Sequence, residues 1–305
     1  MRRFEFVPDS YTGDAPAIGC DGLVPGAALD LTHWRGNRTP PAYKADTSTE
    51  IALNFVASTD SADWSGAIVV NNHFDTDGVL AVWVLLDPER TQAHRELLVA
   101  AAEAGDFDEW PSQDRGLRLD TAIRALAASA GDDAEAYAIV LPRLTELVRT
   151  LDDRRDLWGR EWDQLQAGLR ALDEGRLRAE RHGAIGLVLH PPGQPEVPGP
   201  LLARRFLPEA RRYLLAFDQG QGRLTYRYER PRYAWAETVR RPPCPAPDAQ
   251  VLAEALGPAW TAKDLPGMTG IVQTTYPITD PPATILGRLA PLEPLISPET
   301  PSLIP

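Results

Sequence analysis

Within residues 67–86, AIVVNNHFDTDGVLAVWVLL, an imidazole and two carboxylates stand at alternate positions, His73, Asp75 and Asp77, with Gly78 directly behind them. On an extended backbone that alternation points the three side chains the same way. Groups placed so repel one another and are costly to desolvate, unless a divalent cation or a set of hydrogen-bond donors balances them. An imidazole with two carboxylates suits Mn²⁺, Mg²⁺, Fe²⁺ or Zn²⁺, because carboxylates favour hard cations and imidazole accepts borderline ones. The competing reading is a polar loop, with Asp75 capping a helix and His73 bonded to backbone.

The flanking pattern defines the elements that must hold these groups. Residues 67–70 read as a buried strand, Gly78 as a tight turn, and 79–86 as the first turns of a helix packed back on the sheet. In a parallel α/β sheet such a switch lies at the carboxyl edge, where ligands bind. Upstream, LDLTHWRGNRTP (29–40) gathers His33, Trp34, Arg35, Asn37 and Arg38. His33, Arg35 and Asn37 are the candidates for neutralising a phosphate or protonating a leaving oxygen, the alternative being a surface loop anchored by Trp34. Residues 49–56 read as a helix or a strand. Asp87-Pro88 opens a helix ending near Gly105, and Asp106 falls just past its apolar run, where a helix-terminating turn is the plainer reading. Residues 116–181 are mostly helical. There Leu157, Trp158, Trp162, Leu165, Leu169 and Leu172 recur at spacings of three and four, as core packing requires, while Asp152, Asp153 and Asp156 read as a solvated helix start.

Further along, 184–190 (AIGLVLH) reads as a second buried strand. It ends in His190, an ordinary strand-end histidine first and a site residue second. PPGQPEVPGP (191–200) reads as a stiff interdomain linker. Beyond it, residues 213–217 and 224–228 flank DQGQG and predict an antiparallel hairpin. Arg223, Arg227, Arg230 and Arg232 with Tyr226, Tyr228 and Tyr233 read as a two-sided strand with a solvated arginine row rather than a single-strand binding face. One helix is expected over 248–256, then an extended Pro-rich tail from 281. The expected fold is α/β: a domain over 1–192 with a mainly parallel sheet, helices on both faces and a helical insert at about 116–181. A smaller α+β domain over 201–305 follows, with the site in the cleft between the two.

Composition bounds the partners. The chain has 305 residues, 43% of them hydrophobic, which is enough for a large core. A net charge of −12 and a pI near 4.9 argue against a broad footprint for duplex nucleic acid or an anionic membrane. MRRFEFVPDS has no apolar stretch behind its arginines, and no window approaches the roughly 18 apolar residues of a membrane span, so a cytoplasmic location is expected. Cys20 and Cys244 read as free thiols. Of the 31 basic residues only Lys44 and Lys263 are lysines, and neither sits in a Gly-Lys-Ser/Thr loop, which excludes P-loop chemistry. Gly220 and Gly222 precede a strand and lack a third glycine, so they read as a turn rather than a dinucleotide fingerprint.

HFDTDGVLAVWVLL resembles the first motif of the DHH superfamily of phosphoesterases, in which a strand ends in His-x-Asp-x-Asp-Gly and a helix with small residues follows. His73, Asp75, Asp77 and Gly78 match residue for residue. The resemblance implies a pair of catalytic divalent ions, usually manganese, held by His73, Asp75 and Asp77. AAAEAGDFDEW is similar to a later motif of that family, which implies Asp106 as a further ligand. The chain has no Asp-His-His triplet and no glycine-rich, His-containing loop near its C-terminal end, which makes it a divergent bacterial branch. The expectation is a divalent-metal-dependent hydrolase of a phosphoester or phosphoanhydride in a nucleotide or short oligonucleotide. Mn²⁺ is the first choice of ion and Mg²⁺ the second. The ions would lower the pKa of a bound water that attacks phosphorus in line. The partner is a phosphate-containing small molecule, with neither a membrane nor duplex nucleic acid expected, and the oligomeric state is open. FDTDGVL also resembles the first motif of haloacid-dehalogenase-type phosphatases, with Asp75 as nucleophile and Asp77 as general acid/base. That chemistry needs a downstream lysine followed by an acidic strand end, and only Lys263 lies downstream. The third possibility is a metal- or nucleotide-binding protein without catalysis.

Overall fold

A computed structural model describes residues 2–245, 248–265 and 268–292 and divides the chain into two compact units. The first comprises residues 1–163 and 236–241, the second 164–235 and 242–305.

The first unit is built on a four-stranded parallel sheet of order β1-β4-β2-β3, from β1 (Arg3–Phe6), β2 (Ala17–Cys20), β3 (Leu29–Leu31) and β4 (Ile68–Asn71). β2 and β4 are buried along their whole length, which is why they read as unbroken apolar runs. Around the sheet lie α1 (Ser48–Val56), α2 (Thr76–Leu86), α3 (Pro88–Gln92), α4 (Arg95–Phe107), α5 (Asp114–Ala127), α6 (Asp133–Val140), α7 (Leu144–Thr150) and the start of α8 (Arg155–Asp173). Ile18, Cys20, Leu31 and Val69 face one way into the main core, against Leu53, Phe55, Leu80, Val84, Ile123 and Tyr137. Ala17, Ile68 and Val70 face the other way into a smaller layer with Tyr11, Val24 and Ala27. α2 is buried on nearly every side from Thr76 to Leu85, as a helix apolar all round must be. Truncating one of its fully buried residues, such as Leu80, costs about 2–5 kcal/mol. Gly78 is no turn: it lies inside the first turn of α2, which starts one residue past the Asp75 cap. α5, α6 and α7 pack on the main core through Leu119, Ile123, Val140, Leu144 and Leu147.

The second unit carries a six-stranded mixed sheet of order β5-β6-β7-β8-β10-β9. Its strands are β5 (Arg178–His182), β6 (Ile185–His190), β7 (Arg212–Asp218), β8 (Leu224–Glu229), β9 (Trp260–Leu265) and β10 (Met268–Thr274). Only β6 and β7 pair in parallel. β7 and β8 form the expected hairpin across DQGQG. Among the described residues, the rest of α8 and three further helices accompany them: α9 (Gly199–Phe206), α10 (Ala249–Leu256), capped by Asp248, and α11 (Pro282–Leu289). Leu252, Leu256, Ile285 and Leu289 pack on Leu214, Tyr226, Tyr228 and Val272.

The expected boundaries shift accordingly. The strand ending in His190 belongs to the second sheet, and 191–200 lies inside the second unit, where Val197 N–H donates to His190 Nε2 and α9 begins at Gly199. The division falls within α8 at 163–164. The stretch from 281 is helical rather than extended through Leu289, with Pro282 at the first helical position, where a missing N–H costs nothing. The tail from 293 lies outside the described residues.

Candidate metal centre

Three neighbouring strands of the parallel sheet end at one edge, and each hands a chemical group to it. β4 leads into His73 and Asp75, β2 into Asp21, and β3 into His33. Asp77 in the first turn of α2 and Asp106 near the end of α4 complete the set. Asp21 takes a left-handed backbone, φ 64°, a conformation that a non-glycine residue holds only where its surroundings enforce it. Leu31 O accepts its N–H, and its own carbonyl accepts from the Thr32 hydroxyl.

The six side chains form two groups that share Asp21: Asp21, His33, Asp77 and Asp106 in one, Asp21, His73 and Asp75 in the other. His33 Nε2 lies 3.0 Å from Asp106 Oδ2, 3.7 Å from Asp77 Oδ2 and 3.8 Å from Asp21 Oδ1. His73 Nε2 lies 3.0 Å from Asp21 Oδ2 and 3.3 Å from Asp75 Oδ2. The two oxygens of Asp21 thus face opposite groups. A divalent cation about 2.1–2.4 Å from each donor holds neighbouring ligands about 3–4 Å apart, as these are. The first group is deeply buried. In the second, the side chains of His73 and Asp75 are 25% and 41% exposed, which opens that side to solvent.

The donor set fits a cation on two further grounds. With each neutral imidazole carrying its hydrogen on Nδ1, both oxygens of Asp21, His73 Nε2 and Asp106 Oδ2 are buried without a hydrogen-bond partner among the described residues, a costly state that a cation relieves. Each imidazole is also held from behind. His33 Nδ1 lies 2.6 Å from the Asp46 carbonyl, which only accepts, so Nδ1 carries the hydrogen and Nε2 faces the carboxylates. His73 Nδ1 lies 3.1 Å from Asn72 Oδ1, whose amide nitrogen donates to Leu23 O and so presents the oxygen. Gly78 closes the floor: a Cβ there would meet Asn71 Nδ2 at 2.6 Å and Asp21 Oδ2 at 2.8 Å. That close approach explains the glycine.

Without a cation, protons must serve. Burial disfavours charged imidazoles, but Asp106, Asp77 and Asp21 overcome it and push His33 up to about 10. Asp21 and Asp75 likewise push His73 up to about 11. Burial and the Asp21 charge push Asp77 up to about 7. Burial, with Asp75 and Asp77 nearby, raises Asp106 well above the usual range. Burial and Asp21 raise Asp75, whereas Asp21, although burial opposes it, is held below the ordinary value by His73 and His33. Four ionised carboxylates would outnumber two imidazoliums, so without a cation the raised carboxyls must hold protons of their own.

Two of the groups also have structural tasks. Asp77 accepts the N–H of Ser48 and of Thr49, both at 2.7 Å, and so caps α1. Asp75 Oδ1 accepts the Gly78 N–H at 2.7 Å and caps α2, which leaves Oδ2 toward His73. His73, Asp75, Asp77 and Asp106 converge as the sequence predicts. His33 does so as well, inside the carboxylate cluster rather than on a phosphate-binding loop. Arg35 is exposed on that loop, one residue past Trp34, whose ring lies 5.2 Å from that of His73. Asn37 does not reach the cluster: it donates to Trp34 O and Glu237 and accepts from Thr39 N–H. The sequence reading misses Asp21. Its signal is the apolar run AIGC ending in Asp-Gly, the pattern that marks β4 in weaker form.

His190 serves the second sheet. Its Nδ1 lies 3.2 Å from Ala216 O, its ring stacks on Phe217 at 4.4 Å, and burial lowers its pKa. Cys20 and Cys244 are free and buried.

Fold and cluster together define a two-unit α/β protein with a candidate divalent-cation centre at the carboxyl edge of a parallel sheet. The chain belongs to the family of unknown function DUF6687, whose model matches residues 2–279. A search of curated proteins finds no match. Among solved structures, it is similar to one titled "pGpG-specific phosphodiesterase - PggH from Vibrio cholrae", with 13% identity, 90% of this chain and 83% of that chain covered, and a TM-score of 0.43.

Proposed function

We propose that this protein is a divalent-cation-dependent phosphoesterase that hydrolyses a phosphoester or phosphoanhydride of a nucleotide or short oligonucleotide. The observation that carries this reading is Asp21, a buried carboxylate whose two oxygens each face an imidazole nitrogen, His73 Nε2 at 3.0 Å and His33 Nε2 at 3.8 Å, so that it stands between two His–Asp groups. A pair of cations, manganese first and magnesium second, supplies charge for a phosphoryl oxygen and a bound water of lowered pKa. His33, Asp77 and Asp106 form the closed holder. His73 and Asp75 form the open one, where substrate approaches beside the Trp34 ring. Arg35, exposed at that loop, neutralises the incoming phosphate. His33 moves from proton donor to ligand, because its Nδ1 is committed to Asp46 O and its Nε2 to the carboxylates.

Less supports a phosphoaspartate mechanism. Asp75 Oδ1 is engaged by Gly78 N–H, and the one downstream lysine, Lys263, is not followed by the acidic strand end that this chemistry needs. No helix among the described residues is long and apolar enough to cross a membrane, and we place the protein in the cytoplasm.

The test is hydrolysis of bis(p-nitrophenyl) phosphate and of a dinucleotide panel by the full chain with added Mn²⁺. Wild type should turn over at least one of them. Asp77→Asn should lose more than the 10–100-fold typical of groups standing behind a ligand. Cation binding without turnover of any phosphoester would leave the non-catalytic binding protein instead.

A further inference from the structure

The closed holder depends on a residue remote in sequence. Residues 236–241 belong to the first unit although the chain on both sides of them belongs to the second. This strap runs past His33: the Glu237 N–H donates to the His33 carbonyl at 2.8 Å. Asp46, whose carbonyl holds the His33 ring, takes the Val239 and Arg240 N–H groups on its carboxylate Oδ1 at 2.5 and 2.8 Å. The other carboxylate oxygen takes Arg241 Nη1 at 2.6 Å.

Arg241 then reaches the element that carries Asp106. Its Nη2 lies 3.0 Å from Glu103 Oε1 and 2.7 Å from Glu109 Oε2, and its Nε lies 3.1 Å from Glu109. Glu103 is on α4 three residues before Asp106, and Glu109 is three after. The guanidinium stacks over the Phe107 ring at 4.6 Å, and that ring lies 5.8 Å from His33. One forked cation therefore bridges the backbone that orients His33 and the helix end that presents Asp106. A planar fork is suited to several carboxylates at once, which an ammonium is not. Without it, Glu109 would lose its guanidinium, and Asp46 and Glu103 would keep as counter-charge only the longer 3.7 Å approaches of Arg240.

We propose that Arg241 is a positioning residue of the closed holder: it fixes the 3.0 Å approach of His33 to Asp106 and thereby sets the affinity of the His33–Asp77–Asp106 group for a divalent cation, leaving the His73–Asp75 group unaffected. The inference rests on the reading of the cluster as a two-cation centre.

Mn²⁺ titration of the metal-free full chain, by calorimetry and by metal content after gel filtration, tests it in wild type, Arg241→Gln and Arg241→Lys. Asp106→Asn and His73→Ala mark which binding step belongs to which group. Co²⁺ absorption bands, which report ligand geometry, give a readout independent of turnover. Wild type should bind in two steps. Arg241→Gln should weaken the step that Asp106→Asn removes by about 10–100-fold, with changed Co²⁺ bands, and leave the His73 step alone. Arg241→Lys should recover only part of the loss. If Arg241→Gln fails to fold, Glu109→Gln, which removes one limb of the bridge, should weaken the same step several-fold. Two unaltered steps in the folded Arg241→Gln chain, or equal weakening of both, would overturn the proposal while leaving the centre standing. A wild-type chain that binds no cation would overturn both.

Discussion

Two histidines end buried strands, His73 after β4 of the first sheet and His190 on β6 of the second, and they have opposite fates. His73 turns Nε2 toward two carboxylates, and the Asn72 side-chain oxygen behind it at Nδ1 keeps that nitrogen available. His190 has both ring nitrogens satisfied by backbone, Ala216 O on one side and Val197 N–H on the other, under a stacked Phe217 ring. The difference comes from the neighbours. β2, β3 and β4 run parallel, so three strand ends converge on one edge and bring Asp21 and His33 with them. β6 has one parallel and one antiparallel neighbour, and the strand end beside it delivers a phenyl ring. A strand-end histidine becomes a site through the strands beside it, and sequence order hides which strands those are.

This contrast can be broken most severely at Asp21. Asp21→Asn keeps the shape and removes the shared charge, so both Mn²⁺ equivalents should be lost and the thermal stabilisation by Mn²⁺ seen in wild type should vanish. A variant that still gains stability with Mn²⁺ would mean that the two groups do not share Asp21. His73→Ala should cost one equivalent, retaining the closed holder.

The pH dependence sharpens the contrast further. In the metal-free chain His33 and His73, pushed up to about 10 and 11, favour folding while protonated, a contribution fully present below about 6.5 and lost as pH rises through the folded values. Asp77, pushed up to about 7, acts in the same direction, since the folded state prefers its proton. Metal-free stability should therefore fall between pH 6 and pH 10, while Mn²⁺ affinity rises over that range because binding expels protons. Melting curves with chelator and with Mn²⁺ at pH 6 and pH 9 check this: a metal-free chain that is more stable at pH 9 contradicts it.

The mildest test is His190→Gln. It should leave cation binding unchanged and cost about 1 kcal/mol of stability through the lost stacking and the weakened bond to Val197 N–H, measured by denaturant unfolding. A loss of Mn²⁺ binding there would erase the distinction between the two sheets.

Much of the His73–Asp75 group was legible from residues 67–86, because its strand, its polar side chains and its helix are consecutive and each side chain follows from period two and a cap. Gly78 was recognisable as special but not for the right reason, since a close approach to Asp21 leaves no local trace. Asp21 and His33 were hidden by topology: β2 lies between β4 and β3 in space but before both in sequence, and its four residues are too few to stand out. His33 was visible as unusual chemistry, whereas its role depends on Asp46 and Asp106. Arg241 could not be found from pattern, being separated from Asp46 by 195 positions. The unit boundary was misplaced because proline and glycine at 191–200 look like a linker, while the actual division crosses the uninterrupted helix α8 without any change in composition. The β7–β8 hairpin and the Asp248-capped helix were readable because their signals are local.

The most direct test of the two-cation centre is anomalous diffraction from crystals of the full chain soaked in Mn²⁺. Two peaks are predicted, one on each side of Asp21, the first among His33, Asp77 and Asp106 and the second beside His73 and Asp75, each about 2.1–2.4 Å from its donors. A fully soaked crystal with no peak at Asp21, and with His33 and His73 still paired to the carboxylates as imidazoliums, would contradict it.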